Sequence, residues 1–553
     1  MTTDDPVAVR TVGVDTDGSH DAPGTGTVVR TLVDDRVASR IAAKDATLWG
    51  PAAEHEAAVR LGWVDLYETS RPLLAEVEAL QAELRAEGLD RIVLAGMGGS
   101  SLAPEVITRT AGVDLLVLDT TDPERIARAL RTDLDRTVVV VSSKSGSTVE
   151  TDSQRRAFEA AFNAADIEPG PRMVAVTDPG SELAEHARAH GYRRVFLADP
   201  NVGGRYSALT AFGLVPSGIA GADIASLLDE AADAAPTVYA DDPGNPALVL
   251  AAALAGRQDP SGRLDAGTRD KAVIAEHDAG LRSFGAWAEQ LLAESTGKEG
   301  RGVLPVDVGT VDAAGWRDAE TDATLVALGT PVDDHGPQVA TAGLLGAQFL
   351  LWEVATAIVG RLVGINPFDQ PNVEEAKRAT RELLDPAGGV EQGPGTPAGA
   401  VSVLTAPAGA HVESPFEAID ALVDAVPESG YLAVLAYLDS EENSQAELLR
   451  TVLAGRLDAR QVTFGWGPRY LHSTGQYHKG GHPNGAFLVV SGTPTEACSV
   501  PGRPYDFGQL IAAQARGDAA VLTDKGFPVL HLHLGDRAAG LAAVLDAARG
   551  PAT

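Results

Sequence analysis

Between residues 91 and 197 the chain alternates short, unbroken apolar runs (RIVLA, LLVL, TVVVV, MVAVT, RVFL) with amphipathic stretches such as TDSQRRAFEAAFNAAD. In that stretch Ala157, Phe158, Ala161 and Phe162 recur at the i, i+3, i+4 spacing of one helix face. Strands that are apolar throughout, rather than at every second residue, have both faces buried, and the intervening helices supply the cover. The pattern predicts a doubly wound α/β unit with a mainly parallel sheet. Ligands of such sheets gather beyond the carboxyl ends of the strands.

The Pro/Asp/Gly-containing stretch PTVYADDPGNP (236–246) marks a break, after which KAVIAEH (271–277) and ATLVALG (323–329) predict strands of a second α/β unit. A Gly/Pro-rich linker, DPAGGVEQGPGTPAGA (385–400), precedes further strand-like runs: AVSVLTAP, YLAVLAYLD, QVTFG, GAFLVVSG and FPVLHLHLG. The expected organisation is an N-terminal extension (1–45), a first domain (46–235) and a second domain (236–553) that includes a C-terminal α/β part after the linker. Whether residues 400–553 stand as a domain of their own stays open. The long apolar stretch at 341–365 is interrupted by Gln348, Glu353 and Arg361, which predicts a buried helix rather than a membrane span.

A formal net charge of −33 argues against nonspecific nucleic-acid binding and against docking on anionic membranes, since both would be repelled at long range. An anionic small molecule would need a local basic pocket. The single cysteine, Cys498, has no partner within the chain. The start, MTTDDPVAVR, shows no apolar secretory segment, so a cytoplasmic location is expected.

Four segments carry the residue types that chemistry needs. AGMGGSSLAPEV (95–106) follows the first strand and opens a helix; its glycines bring backbone N–H groups close to an anion at the helix N-terminus. Gly96, Gly98 and Asp119 also imitate a dinucleotide site, although Ser101 stands at the third glycine position. SSKSGSTVET (142–151) gathers hydroxyls around Lys144 at the end of another parallel strand, which suits a phosphate; an N-cap alone would use one or two of them. GGRYSALTAFGL (203–214) offers Arg205 as an always-ionised fork. In FGAWAEQLLAESTGKEGRG (284–302) the apolar stripe Phe284, Trp287, Ala288, Leu291 predicts a helix ending at Gly297. Glu294 then falls in its last turn, where the helix dipole raises a carboxylate's basicity.

Together with INPFDQPNVEEAK (365–377), these segments in this order resemble glucose-6-phosphate isomerases built from two sugar-isomerase (SIS) domains. The resemblance implies two SIS-type doubly wound domains with mainly parallel five-stranded sheets and a C-terminal α/β extension. It is similar in particular to the isomerase portion of actinobacterial proteins in which a transaldolase comes first. Only about 90 residues precede the first loop here, too few for a barrel of about 250, so the isomerase alone is expected.

The resemblance places Gly98, Gly99, Ser100, Ser143, Lys144, Ser145 and Thr148 around the phosphate, and Gln290 and Gln370 along the sugar. It makes Glu294 the base, Arg205 the stabiliser of an enediolate, and Lys377 an assistant in ring opening. The family's glycine-glutamine-histidine segment is missing between the glutamate and FDQ motifs, where His335 is the one histidine. Its nearest match is RYLHSTGQYHKGGHPNG (469–485), with His478 the first candidate for ring opening and His472 the second. The His478/His482 spacing imitates a metal pair, but Gly480 and Gly481 intervene, and no metal, nucleotide or redox cofactor is expected. The Ser/Thr/Gly wording of SSKSGSTVET leaves mannose 6-phosphate as a further substrate, and a non-catalytic sugar-phosphate regulator is the alternative from another class. A homodimer is in keeping with the resemblance.

Overall fold

The apolar runs of the first unit pair into one parallel sheet, in the order Leu116–Leu118, Arg91–Gly96, Thr137–Ser142, Met173–Thr177, Arg194–Leu197. A computed structural model describes residues 6–12, 25–255, 268–332, 338–384, 395–398, 400–410 and 412–550, with backbone alone at 373–377. Val138, Val139, Val140 and Val141 are each at most 1% exposed, so successive side chains on both faces are covered. Each fully buried valine contributes about 1.5–3 kcal/mol relative to an exposed one. One face packs on Ile107, Phe212 and Leu214, the other on Phe158, Phe162 and Ile126.

The second sheet also has five strands, in the order Val7–Val12, Gln338–Gly343, Ala323–Gly329, Lys271–His277, Leu304–Thr310. Four run parallel, and Val7–Val12 closes the edge antiparallel to Gln338–Gly343. Residues 7–12, assigned from sequence to an N-terminal extension, are thus part of this sheet. The Leu345–Val363 helix lies beneath it; it is long and apolar enough to cross a membrane, yet 89% of its apolar window is buried inside the protein.

The C-terminal part carries a third sheet of six strands, ordered Thr396–Ala398, Val401–Thr405, Val529–Leu534, Gly485–Gly492, Tyr431–Tyr437, Gln461–Trp466. It has its own apolar core around Leu432, Val434, Leu488 and Leu530. A second cluster joins it to the middle sheet through Val273, Ala293, Tyr431 and Tyr477. Ion pairs fasten it to the helices and strand ends of the first unit: Arg128 to Asp439 at 2.8 Å, Arg537 to Asp122 at 2.8 Å, and Arg469 to Asp119 at 2.9 Å. The linker expected near 385–400 falls largely outside the described residues.

Candidate active site

Three backbone segments from three parts of the chain meet beyond the carboxyl end of the first sheet. Gly98 has φ +55°, and a Cβ there would lie 2.6 Å from the carbonyl oxygen of His472. At Gly99 a Cβ would come within 2.0 Å of the Gly204 oxygen. Only glycine permits both approaches, which bring the 97–100 loop, the Gly204–Tyr206 turn and the Arg469–His472 turn into direct contact.

Glu294 enters this junction from the last turn of the Phe284–Thr296 helix. Its side chain is 8% exposed, and Oε2 stands 3.6 Å from Nη1 of Arg205. Burial raises its pKa above the usual carboxylate range, opposed by the charges of Arg205, His472 and Lys298 and by the Gln290 amide. Arg205 is held by one corner: Nη2 donates to the carbonyls of Phe368 (2.8 Å) and Asp369 (3.0 Å). Its Nε and Nη1 are buried without hydrogen-bond partners. An arginine with two uncommitted donors beside a buried carboxylate is equipped to meet negative charge that develops on a bound molecule.

His472 Nε2 lies 3.0 Å from Oε1 of Glu150, the glutamate of the hydroxyl-rich loop, and Gln514 donates to the same oxygen at 2.7 Å. Gln290 Nε2 donates to the His472 carbonyl at 2.8 Å. The histidine is therefore fixed from the ring and from the backbone. His478, expected in the site, packs instead among Tyr431, Tyr470 and Phe487, with Nδ1 2.9 Å from the Tyr431 hydroxyl. Burial, with Lys479 nearby, pushes its pKa down to about 3, so it stays neutral at ordinary pH. His482 is buried too. One short helical turn, Gly475–Gly480, ends before His482 and turns His478 into the core.

The hydroxyl loop is folded on itself. Ser143 Oγ lies 3.1 Å from Thr148 Oγ1 and accepts the Gly146 N–H at 3.2 Å; Ser145 and Ser147 pair at 3.0 Å. Lys144, expected around the phosphate, has its ammonium paired with Asp178 at 2.7 Å and donating to the Pro200 carbonyl at 3.3 Å. Ser145, Gly146, Ser147 and Thr148 line a cavity of about 830 Å³ that His472 and Lys479 also line. Ser100 is buried in the adjoining loop, and Gln370 is exposed beyond Asp369. Lys377 falls on the Val373–Leu384 helix, but its side chain lies outside the described residues, as does His335.

The dinucleotide alternative loses its acid. Asp119 is paired with Arg469, which also holds Glu105 at 2.7 Å. Sequence reasoning gave no role to Glu150, Lys298 or Gln514. The first two lay inside quoted motifs, Lys298 one helical turn after Glu294, whereas Gln514 carries no local signal.

Residues 81–323 match the family model described as phosphoglucose isomerase. A probable glucose-6-phosphate isomerase of Haloarcula marismortui is 31% identical over 354 residues, covering 53% of this chain and 78% of that protein. The glucose-6-phosphate isomerase of Rubrobacter xylanophilus is 29% identical over 386 residues, covering 58% of this chain and 88% of its own length. Among solved structures, a hypothetical protein of Thermus thermophilus superposes with TM-score 0.55 at 27% identity, over 68% of this chain and 99% of that one. A Chlamydia trachomatis glucose-6-phosphate isomerase has the same TM-score at 17% identity, over 70% and 90% of the two chains, a likeness of fold. With these motifs, this fold and these relatives, the chain belongs to the glucose-6-phosphate isomerase family.

Proposed function

We propose that the protein interconverts glucose 6-phosphate and fructose 6-phosphate through a cis-enediolate, with Glu294 as the base that moves a proton between C2 and C1. The observation that carries this reading is the buried pair of Glu294 and Arg205, 3.6 Å apart, in which the arginine keeps two donors uncommitted. A non-catalytic sugar-phosphate sensor has no use for such a pair.

The sequence of events follows from the side chains. The hydroxyls of Ser143, Ser145, Ser147 and Thr148, with the N-terminus of the Val149–Ala164 helix, take the phosphate and leave the reacting carbons at the other end of the sugar. His472, oriented by Glu150, exchanges a proton with the ring oxygen or its hydroxyl and opens the ring. Glu294 removes the C2 proton and returns it at C1, while Arg205 offsets the charge on the enediolate oxygen. The proton is conserved overall and no electron acceptor is consumed.

Incubation with fructose 6-phosphate in D2O, followed by NMR, tests the reading: deuterium at C2 of glucose 6-phosphate is expected. Glu294→Gln is expected to lower turnover by about 10³-fold or more while sugar phosphate still binds. Near-normal turnover in that variant would remove Glu294 as the base. The same run with mannose 6-phosphate reads the substrate range.

A further inference from the structure

Lys298 is the most confined cation near the reacting groups, and the motifs give it no task. Its side chain is 1% exposed. The ammonium donates to the Asn366 carbonyl at 2.8 Å, the Asp369 carbonyl at 2.6 Å and the Asp369 carboxylate at 2.8 Å. All three protons are therefore committed to the loop at 366–369. Arg205 is anchored to the same loop, through the Phe368 and Asp369 carbonyls, so the Asp369 oxygen accepts from both cations. Lys298 itself follows the Glu294 helix by two residues.

We propose that Lys298 is a positioning residue, clamping the 366–369 loop against the end of the Glu294 helix so that Arg205 is held with its free edge toward the reacting carbons. Its charge has a second consequence: together with Arg205 and His472 it favours the ionised form of Glu294. The proposal rests on the reading of Glu294 as the base. The geometry makes a neutral replacement act twice, by loosening the loop and by removing a buried cation. An arginine would keep the charge but not the three-pronged fit of the ammonium.

The ionisable groups facing Lys298 are Glu294 ahead of it, Arg205 from the Gly204–Tyr206 turn and Asp369 from the loop, with His472 beyond Glu294. Burial and the neighbouring Arg205 push its own pKa down to about 8. Above that range the lysine loses a proton, one donor and its charge.

The test is steady-state kinetics against pH on wild type, Lys298→Met, Lys298→Arg, Asp369→Asn and Glu294→Gln. Lys298→Met is expected to lower kcat about 10–100-fold with a smaller change in KM, and to move the acid limb of kcat/KM to higher pH, as Glu294 loses a neighbouring cation. Lys298→Arg is expected to keep the acid limb and to move the alkaline fall of kcat to higher pH. Asp369→Asn keeps the lysine and the backbone acceptors, and is expected to lower kcat about 3–10-fold even if Lys298→Met does not fold.

Unchanged kcat in Asp369→Asn, or a Lys298→Met enzyme that loses only thermal stability while its folded fraction keeps the wild-type kcat and acid limb, would overturn the proposal. Glu294→Gln separates the two readings. If it is inactive and the lysine variants are normal, only the positioning role falls; if it keeps full turnover, the base assignment falls first.

Discussion

Glu294 and Arg205 stand 3.6 Å apart at the junction of three chain segments, with side chains 8% and 2% exposed. Arg205 keeps Nε and Nη1 without hydrogen-bond partners, and burial raises the carboxylate's pKa while the arginine and its neighbours hold it down. Arg205→Lys keeps a charge but loses the fork, so kcat is expected to fall about 10²–10³-fold with KM changed less. A kcat within a few-fold of wild type would remove Arg205 as the proposed stabiliser of the enediolate.

The raised pKa of Glu294 gives the pH profile a sign. The form in which it could act as the proposed base is the carboxylate, and that form is lost as pH falls through a value above the ordinary range for glutamate. The acid limb of kcat/KM is therefore expected above the usual carboxylate range. A limb at or below that range would indicate that the neighbouring cations outweigh burial in solution.

His472 and His478 are separated by six positions and by very different surroundings, so their substitutions are expected to diverge. His472→Asn should lower turnover by about 10²-fold or more from the cyclic sugar with little change in melting temperature. His478→Phe replaces a neutral ring stacked on Tyr431, and is expected to change stability while leaving kcat within a few-fold. Parallel thermal melts and rate measurements read the two effects apart; the reverse pattern would favour His478 over His472 for the proposed ring opening.

Gly99→Ala forces a methyl group to within 2.0 Å of the Gly204 carbonyl. The loops must separate, at a cost of about 1–3 kcal/mol or more, and Arg205 moves with the Gly204–Tyr206 turn. The expected outcome is a lower melting temperature together with at least a tenfold loss of kcat. Wild-type behaviour in both measurements would show that the contact is not maintained in solution.

Glu353 lies in the Leu345–Val363 helix, 1% exposed, with both carboxyl oxygens unpartnered and its pKa raised well above normal by burial. Because the folded-state value exceeds that of the unfolded chain, the associated stability is complete below the unfolded value and falls as pH rises toward the folded one. Glu353→Met removes that loss. It is expected to stabilise the fold by about 1–3 kcal/mol, and more at high pH than at low pH, as read from denaturation midpoints. Equal shifts at both pH values would place the proton elsewhere.

Much of this protein was legible in its sequence because the signals are local. Unbroken runs such as Val138 to Val141 specify strands covered on both faces, and two neighbouring strands carry the loops that open helices at one end of the sheet. Glu294 could be placed in a last helical turn from the apolar stripe and Gly297 alone. What the sequence could not specify depends on approaches between distant segments. The different surroundings of His472 and His478 come from a turn that sends one imidazole toward Glu150 and the other under Tyr431. Lys144 was claimed by Asp178, and Asp119 by an arginine about 350 positions away. Residues 7–12 found their partners at 338–343. Hydrogen bonds and ion pairs act over a few ångströms, so a residue's chemistry is fixed by what the fold brings within that distance, and sequence separation carries no record of it.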